Sequence, residues 1–215
     1  MLVLVHDVEQ LSDEGLDLSH LGWFVTGVAS LVSDADVEVL RATDAQSLRS
    51  QLALLEVNDR QFDVLVSIGH SNEHGIQAAR NFFLTWEDYA NIIKPLAPRR
   101  LMLIACRAGR WPAANILFRK LPKLRRIFAS PVNVSFDLAK LMLAATPYLL
   151  EVKAPSVGVI RTAQAFVLGT TGGQLRQWQR DRDMHNPNGE LLDIGASFLD
   201  PMLQGVPDLL RSIFR

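Results

Sequence analysis

The fold of this chain follows from the stretch Phe62-Asp-Val-Leu-Val-Ser-Ile68, an apolar run that ends at Gly69-His70. A short run with little alternation between apolar and polar residues is typical of a strand buried on both faces of a sheet. Similar runs occupy residues 2–5 and 101–105. Together these runs predict the central strands of a parallel sheet.

The segments between the apolar runs have helical periodicity. Leu48, Leu52 and Leu55 have the spacing of one helix face, behind a capping-box pattern that starts at Thr43. The same pattern recurs at residues 85–88 and predicts the start of another helix. We predict further strands at residues 37–40, 126–130 and 157–160, further helices at 21–32, 113–121, 136–150 and 191–214, and a turn at 186–189.

This alternation of strands and helices predicts the fold class. Consecutive strands joined by helices form parallel sheets that are covered on both faces. We therefore expect one α/β domain over residues 1–215. Its predicted form is a three-layer sandwich, with a mostly parallel central sheet of about six strands flanked by helices.

The composition excludes several classes of protein. The chain has 215 residues and a single cysteine, Cys106, which rules out an internal disulfide framework and a zinc cluster built from cysteines. This length fits one domain with a full core. No apolar run has the length of a signal peptide or of a membrane-spanning helix. We expect a soluble, cytoplasmic protein with no membrane partner.

Charge is distributed unevenly along the chain. Residues 1–60 contain eleven acidic and three basic residues, whereas residues 99–126 contain nine basic residues and no acidic one. A basic block can attract an anionic partner, including nucleic acid. However, this block has little aromatic interleaving and matches no nucleic-acid-binding module. We interpret it as a solvated accessory surface, and nucleic acid is not expected as a partner.

Two residues suited to acyl transfer follow neighbouring predicted strands. His70 comes after the third strand and Cys106 after the fourth. Open parallel sheets bind ligands at the carboxyl ends of their strands, and a thiol beside an imidazole is an activated nucleophile. The backbone N–H groups of Ser71 and Cys106 are candidate oxyanion donors. The alternative interpretation is a small core cysteine and a solvent-facing histidine.

Three segments resemble those of caspase-like cysteine peptidases, and the likeness is closest to the CHAT-domain branch. The histidine segment is Asp63-Val-Leu-Val-Ser-Ile-Gly-His70-Ser-Asn-Glu-His-Gly75-Ile76, and the nucleophile segment is Leu101-Met-Leu-Ile-Ala-Cys106-Arg-Ala-Gly109. The third is Arg126-Ile-Phe-Ala-Ser-Pro-Val-Asn-Val-Ser-Phe-Asp-Leu-Ala-Lys-Leu-Met142. The resemblance covers roughly residues 60–150.

The resemblance implies a caspase-like sandwich and a cysteine endopeptidase without a cofactor. Cys106 would be the nucleophile and His70 the base, acting on a protein or peptide substrate. Members of this family often look like effectors that a partner switches on. We therefore also expect an activating protein partner and a low basal activity.

The chain departs from the family pattern at the histidine and at the substrate pocket. Ser71 follows His70 where the family usually has glycine, and His74, which precedes Gly75, is a second candidate for the base. We favour His70 because it directly ends the strand. Ile104 stands where family members carry a polar residue in the pocket for the P1 side chain. As a substrate-binding residue it would favour a small or apolar P1 side chain.

Two other functions fit parts of the sequence. One is a caspase-like module that only binds a partner and has no activity. The other is an α/β-hydrolase with Ser71 as nucleophile, because residues 69–73 imitate the pattern Gly-x-Ser-x-Gly. That pattern fails at Glu73, where the strained turn needs glycine. The histidines lack the regular spacing of a metal site, so no metal is expected.

Overall fold

The computed structural model describes residues 1–14, 24, 26, 27, 36–58, 60–80, 82–146, 162, 165, 175–180 and 191–193. The strands of this part are β1 (Leu2–His6), β2 (Glu38–Ala42), β3 (Val64–Ile68), β4 (Gly75–Ala79), β5 (Phe82–Thr85), β6 (Arg100–Ile104), β7 (Arg126–Ala129), β8 (Arg176–Arg180) and β9 (Leu191–Asp193). The helices are α1 (Val8–Asp13), α2 (Ala45–Val57), α3 (Trp86–Ile93), α4 (Trp111–Lys120) and α5 (Phe136–Thr146), with a 3-10 turn at Lys94–Leu96.

A seven-stranded sheet runs through the described residues in the order β2-β1-β3-β6-β7-β8-β9. The strands from β2 to β7 in this order are parallel, whereas β8 and β9 are antiparallel to their neighbours. Every residue of β1 and β3 is buried, as their continuous apolar sequences predict. The predicted mostly parallel sheet is confirmed.

Helices cover both faces of this sheet. On one face, α2, α3 and α4 pack their apolar side chains, among them Leu48, Tyr89 and Leu117, into one core cluster. On the other face, α1 and α5 contribute Leu11 and Met142 to a second cluster. The molecule is therefore an α/β three-layer sandwich, as expected. No helix within the described ranges has the length and apolar character needed to cross a membrane.

The two predicted helix starts have different outcomes. Thr85 caps α3 as predicted, because its side chain accepts the N–H of Asp88 at 3.1 Å. The prediction of Thr43 as the cap of α2 is wrong. Asp44 caps that helix, and its carboxylate accepts the N–H of Ser47 at 2.7 Å. A carboxylate next to a hydroxyl is an equally good cap, and the helix begins one residue later than the pattern indicated.

Other elements were not anticipated by the sequence. The β4–β5 hairpin forms a separate two-stranded sheet between β3 and α3, and β8 extends the main sheet beyond β7. Residues 191–193 form β9 in place of the start of a helix. The predicted strand 157–160, the turn 186–189 and residues 147–150 and 194–214 lie outside the described residues. So does the predicted helix 21–32, except for residues 24, 26 and 27, which are helical.

Candidate active site

Neighbouring parallel strands bring His70 and Cys106 to the same rim of the sheet. Ile68 at the end of β3 and Ile104 at the end of β6 are register partners. The Gly69 N–H donates to the carbonyl oxygen of Ile104 at 3.3 Å, which continues the pairing beyond the strands. His70 and Cys106 follow these partners at equal distances along the chain. Both line one small cavity of about 40 Å³.

The turn that carries Cys106 is held by the segment that follows β7. Arg107 has a left-handed backbone with φ of 57°, and its N–H donates to the carbonyl oxygen of Val132 at 2.9 Å. The Gly109 N–H donates to the carbonyl oxygen of Ser130 at 2.7 Å. The half-buried sulfur of Cys106 accepts the N–H of Val134 at 3.3 Å. Backbone hydrogen bonds therefore fix the position of the sulfur.

His70 contacts a carboxylate that the sequence analysis did not single out. Its Nε2 lies 3.0 Å from Oε2 of Glu14, the residue directly after α1, and the two side chains are 28% and 39% exposed. The two atoms are close but do not form a hydrogen bond. The buried Nε2 has no hydrogen-bond partner among the described residues. The contact is therefore electrostatic. No local spacing links Glu14 to His70 in the sequence, and only the packing of α1 beside the strand ends reveals it.

The thiol and the imidazole are not hydrogen bonded to each other among the described residues. The hydrogen bonds of the Cys106 sulfur go to the backbone of Val134, at 3.3 Å from its N–H and 3.9 Å to its carbonyl oxygen. Catalytic hydrogen bonds are often long or misaligned before substrate binds. The two side chains line the same cavity.

The predicted oxyanion donors lie on two loops that contact each other. Within the described part of the chain, the backbone N–H groups of Ser71 and Cys106 have no acceptor. The Ser71 hydroxyl donates to the carbonyl oxygen of Cys106 and joins the two loops. Ser71 pairs with Ile76 in an isolated antiparallel bridge whose hydrogen bonds belong to the flanking residues. In such a pair the N–H points away from the partner strand, so the bridge does not use the Ser71 N–H.

The wall of the cavity is apolar around Ile104. This side chain is 3% exposed and shares the wall with Leu11, Ile68 and Phe136. Among the described residues, no aspartate, glutamate, lysine or arginine lines the cavity. The cavity offers no partner for an acidic or basic substrate side chain.

His74, the second candidate for the base, lies elsewhere. Its side chain is 84% exposed, and its Nε2 is 3.7 Å from the Glu73 carboxylate. Glu73 also pairs with Arg110 at 2.6 Å. His74 is not among the residues that line the cavity. Of the two histidines, the fold brings His70 to Cys106.

Ser71 lacks the surroundings of a hydrolase nucleophile. Its hydroxyl donates to a carbonyl oxygen, which is not a base that could remove a proton in catalysis. The short chain segment 69–73 also contains no second glycine. The hydroxyl instead connects the histidine loop to the cysteine loop.

A buried polar network lies beneath the site. His6 Nε2 is 2.8 Å from the Ser67 hydroxyl, which is 2.6 Å from the Tyr89 hydroxyl, and all three side chains are fully buried. Burial lowers the pKa of His6 to about 4, so its imidazole is neutral at pH 7. Burial has the opposite effect on Tyr89, whose pKa it raises because the charged form is the phenolate. A Cβ on Gly69 would lie 3.1 Å from the His6 Cβ, so this network limits position 69 to a small residue.

Much of the basic block is paired with acids from other segments. Asp63 contacts Arg99 and Arg100, and Glu87 contacts Lys120. These pairs fit the interpretation of the block as a solvated surface. Among the described residues, no group of three or more histidine, cysteine, aspartate or glutamate side chains is arranged to hold a metal ion.

Comparison of the sequence with protein-family models and with curated proteins gives no match.

Proposed function

We propose that this chain is a cysteine endopeptidase with Cys106 as nucleophile and His70 as general base. The observation that carries the proposal is the position of both groups on one cavity wall, at the carboxyl ends of adjacent parallel strands. The unoccupied N–H groups of Ser71 and Cys106 beside them are a second, independent support. A structural cysteine would need neither feature.

The reaction divides into two halves. The Cys106 sulfur attacks the substrate carbonyl carbon while its proton passes to His70, and the carbonyl oxygen becomes an oxyanion between the two N–H donors. His70 then gives the proton to the leaving amine, the C–N bond breaks and a thioester remains. Water attacks the thioester with His70 as base, and the acid product and the free thiol are released.

We further propose that a protein partner or the substrate itself completes the site. In the free chain the Cys106 sulfur accepts a hydrogen bond from the Val134 N–H and has none with the imidazole. A small movement of either side chain is needed before a proton can pass between them. Basal activity is therefore expected to be low. A nucleophile that must stay a free thiol suits a reducing compartment, so the proposal includes a cytoplasmic location.

The cavity supports a preference for small P1 side chains. Its volume of about 40 Å³ is small beside the several hundred Å³ of typical small-molecule pockets. Ile104 and Phe136 form apolar walls that cannot neutralise a charged side chain. Alanine, glycine or serine at P1 fits these walls, whereas aspartate or lysine does not.

The proposal is tested with peptide acyloxymethyl ketones that alkylate a catalytic thiol. A probe with alanine at P1 is expected to label Cys106, and the matched probe with aspartate at P1 is expected to label it at least about tenfold more slowly. Cys106→Ala should abolish labelling. His70→Ala should slow it by about 100-fold or more, the usual contribution of general base catalysis. His74→Ala is the matched control and should leave the rate unchanged.

The contrary result is equally definite. A folded chain whose Cys106 reacts with iodoacetamide but, over hours at high concentration, not with the alanine probe would be the inactive caspase-like interaction module. The missing bond between thiol and imidazole is the observation that favours this second function. Hydrolytic activity that is lost in Ser71→Ala and kept in Cys106→Ala would instead identify the hydrolase.

A further inference from the structure

We propose that Glu14 is a positioning residue for His70, so that the site works as a triad of cysteine, histidine and glutamate. The inference rests on the proposed function, because positioning the imidazole affects the reaction only if His70 is the general base. Two features carry it: the contact of Glu14 with the ring, and a chain of hydrogen bonds that holds the Glu14 carboxylate in place.

The contact selects one form of the imidazole. Glu14 Oε2 is 3.0 Å from Nε2 of His70, and a carboxylate can only accept a hydrogen bond. The two atoms are not aligned as a hydrogen bond, but an Nε2 without a proton would turn its lone pair toward the carboxylate oxygen at 3.0 Å, so the electrostatic contact favours the neutral ring with its proton on Nε2. Nδ1 is left with a lone pair that can take the thiol proton. When that proton arrives, the imidazolium is stabilised by the adjacent carboxylate, and no proton passes to Glu14.

The carboxylate of Glu14 is held by a chain that starts in the protein interior. Asp7 accepts a hydrogen bond from Gln77 Nε2 at 2.7 Å, and the same amide nitrogen donates to Gln10 Oε1 at 2.6 Å. Gln10 Nε2 in turn donates to Glu14 Oε1 at 2.8 Å. Asp7 and Gln77 are 2% and 6% exposed. Burial therefore holds Asp7 and Gln77 in place. Through Gln10, these hydrogen bonds also hold the more exposed Glu14 carboxylate.

The direction of every bond in this chain is determined. An aspartate carboxylate only accepts, so Gln77 must turn its NH₂ group toward Asp7 and Gln10. Gln10 then receives that bond on its oxygen and must turn its own NH₂ toward Glu14. Reversing either amide would place two acceptors against each other. Glu14 is consequently oriented with one oxygen toward Gln10 and the other toward His70.

The charges around His70 make Glu14 its specific counter-ion. Of the other charged groups near the ring, Glu73 and His74 lie on its own loop, and Glu73 is paired with Arg110 from the start of α4. Asp13, next to Glu14 on the chain, is paired with Arg80. Within the described residues Glu14 has no lysine or arginine partner, and the imidazole of His70 is the basic group beside it. An acid left without a cation in this way stabilises a charge that forms during the reaction.

The test compares Glu14→Gln, Glu14→Asp and the matched control Asp13→Asn, which removes the neighbouring acid. With a peptide that has alanine at P1, Glu14→Gln is expected to lower kcat by about 10- to 100-fold with KM little changed, part of the full general-base contribution. Glu14→Asp should recover part of this loss, and Asp13→Asn should match the unchanged chain. Equal kcat values for Glu14→Gln and Asp13→Asn would overturn the inference.

A second measurement does not need activity. In Cys106→Ala, long-range ¹H–¹⁵N spectra of the His70 ring are expected to show the proton on Nε2, and adding Glu14→Gln should change the ratio of the two tautomers. An unchanged ratio overturns the inference whether or not the chain is a peptidase. A changed ratio in a chain without peptidase activity supports the contact and rejects only the proposed function. A rise in KM confined to substrates with basic P1 residues would make Glu14 a specificity residue instead, and would also overturn the inference.

Discussion

His6 is a single residue whose burial sets a pH limit on stability. Its folded pKa of about 4 lies below the ordinary value of 6.5, so the unfolded chain takes up the proton first as the pH falls. The contribution of neutral His6 is complete above pH 6.5 and is lost as the pH falls toward 4. The loss over that range is about 3 kcal/mol, from about 1.4 kcal/mol per pH unit of difference.

Urea unfolding at pH 7 and at pH 4 measures this effect. His6→Asn should reduce the loss of stability between the two pH values, because asparagine does not titrate. His74→Asn removes a histidine that is 84% exposed and should leave the pH dependence as it is. Carboxylates titrate equally in both variants and cancel in the comparison. Identical pH dependence in the two variants would contradict this account of His6.

Gly109 is a residue whose missing side chain allows the cysteine turn to form. An added Cβ would lie 2.7 Å from the backbone oxygen of Ala129 and 2.8 Å from the carbonyl carbon of Ser130. Because backbone atoms cannot move aside, Gly109→Ala should destabilise the protein by about 1–3 kcal/mol in urea unfolding. Probe labelling of Cys106 should fall with it, since the turn shifts.

The control for this prediction is Gly27→Ala. Nothing lies within 4 Å of a Cβ built on Gly27, which has helical backbone. Alanine at a helical position stabilises by about 0.5–1 kcal/mol relative to glycine. Equal effects of the two substitutions would show that crowding at position 109 is not the cause.

Among the elements, helix α2 gives a direct test of which residue caps it. Asp44 accepts the Ser47 N–H at 2.7 Å, whereas the Thr43 hydroxyl only reaches the Asp44 carboxylate at 3.4 Å. Asp44→Ala should therefore lower the free energy of unfolding by about 1 kcal/mol, and Thr43→Ala by much less. Urea unfolding of the two variants side by side measures this. A larger loss for Thr43→Ala than for Asp44→Ala would show that Thr43 caps the helix, as the sequence pattern indicated.

Elements were predictable where burial alone determines them. The strands β1, β3, β6 and β7 are buried on both faces, and their apolar runs are visible in the sequence. In contrast, β8 reads Arg-Gln-Trp-Gln-Arg and shows little apolar pattern, because it pairs with β7 beyond the parallel strands. In the β4–β5 hairpin the register shifts near Gln77, a buried polar residue that donates a hydrogen bond to Asp7. Such elements depend on partners far away in the chain.

At the scale of the whole molecule, the strand order of the sheet explains which residues of the candidate site could be predicted from the sequence. His70, Ser71, Ile104 and Cys106 follow or end strands that are adjacent in the sheet, so their proximity follows from strand order. Glu14 reaches the same rim from α1, after the strand on the other side of β3. Its contact depends on how the helix lies across the strand ends. Neither periodicity nor motif spacing carries that information.

The hydrogen bonds between residues 130–134 and the cysteine turn have a consequence for the position of the Cys106 sulfur. Ser130, Val132 and Val134 accept from or donate to the turn at three points, and one of these is the sulfur itself. A molecule that pulls this segment outward would displace the Cys106 sulfur without entering the cavity. If Cys106 is the nucleophile, as proposed, a ligand outside the cavity can control its position by breaking these few backbone hydrogen bonds.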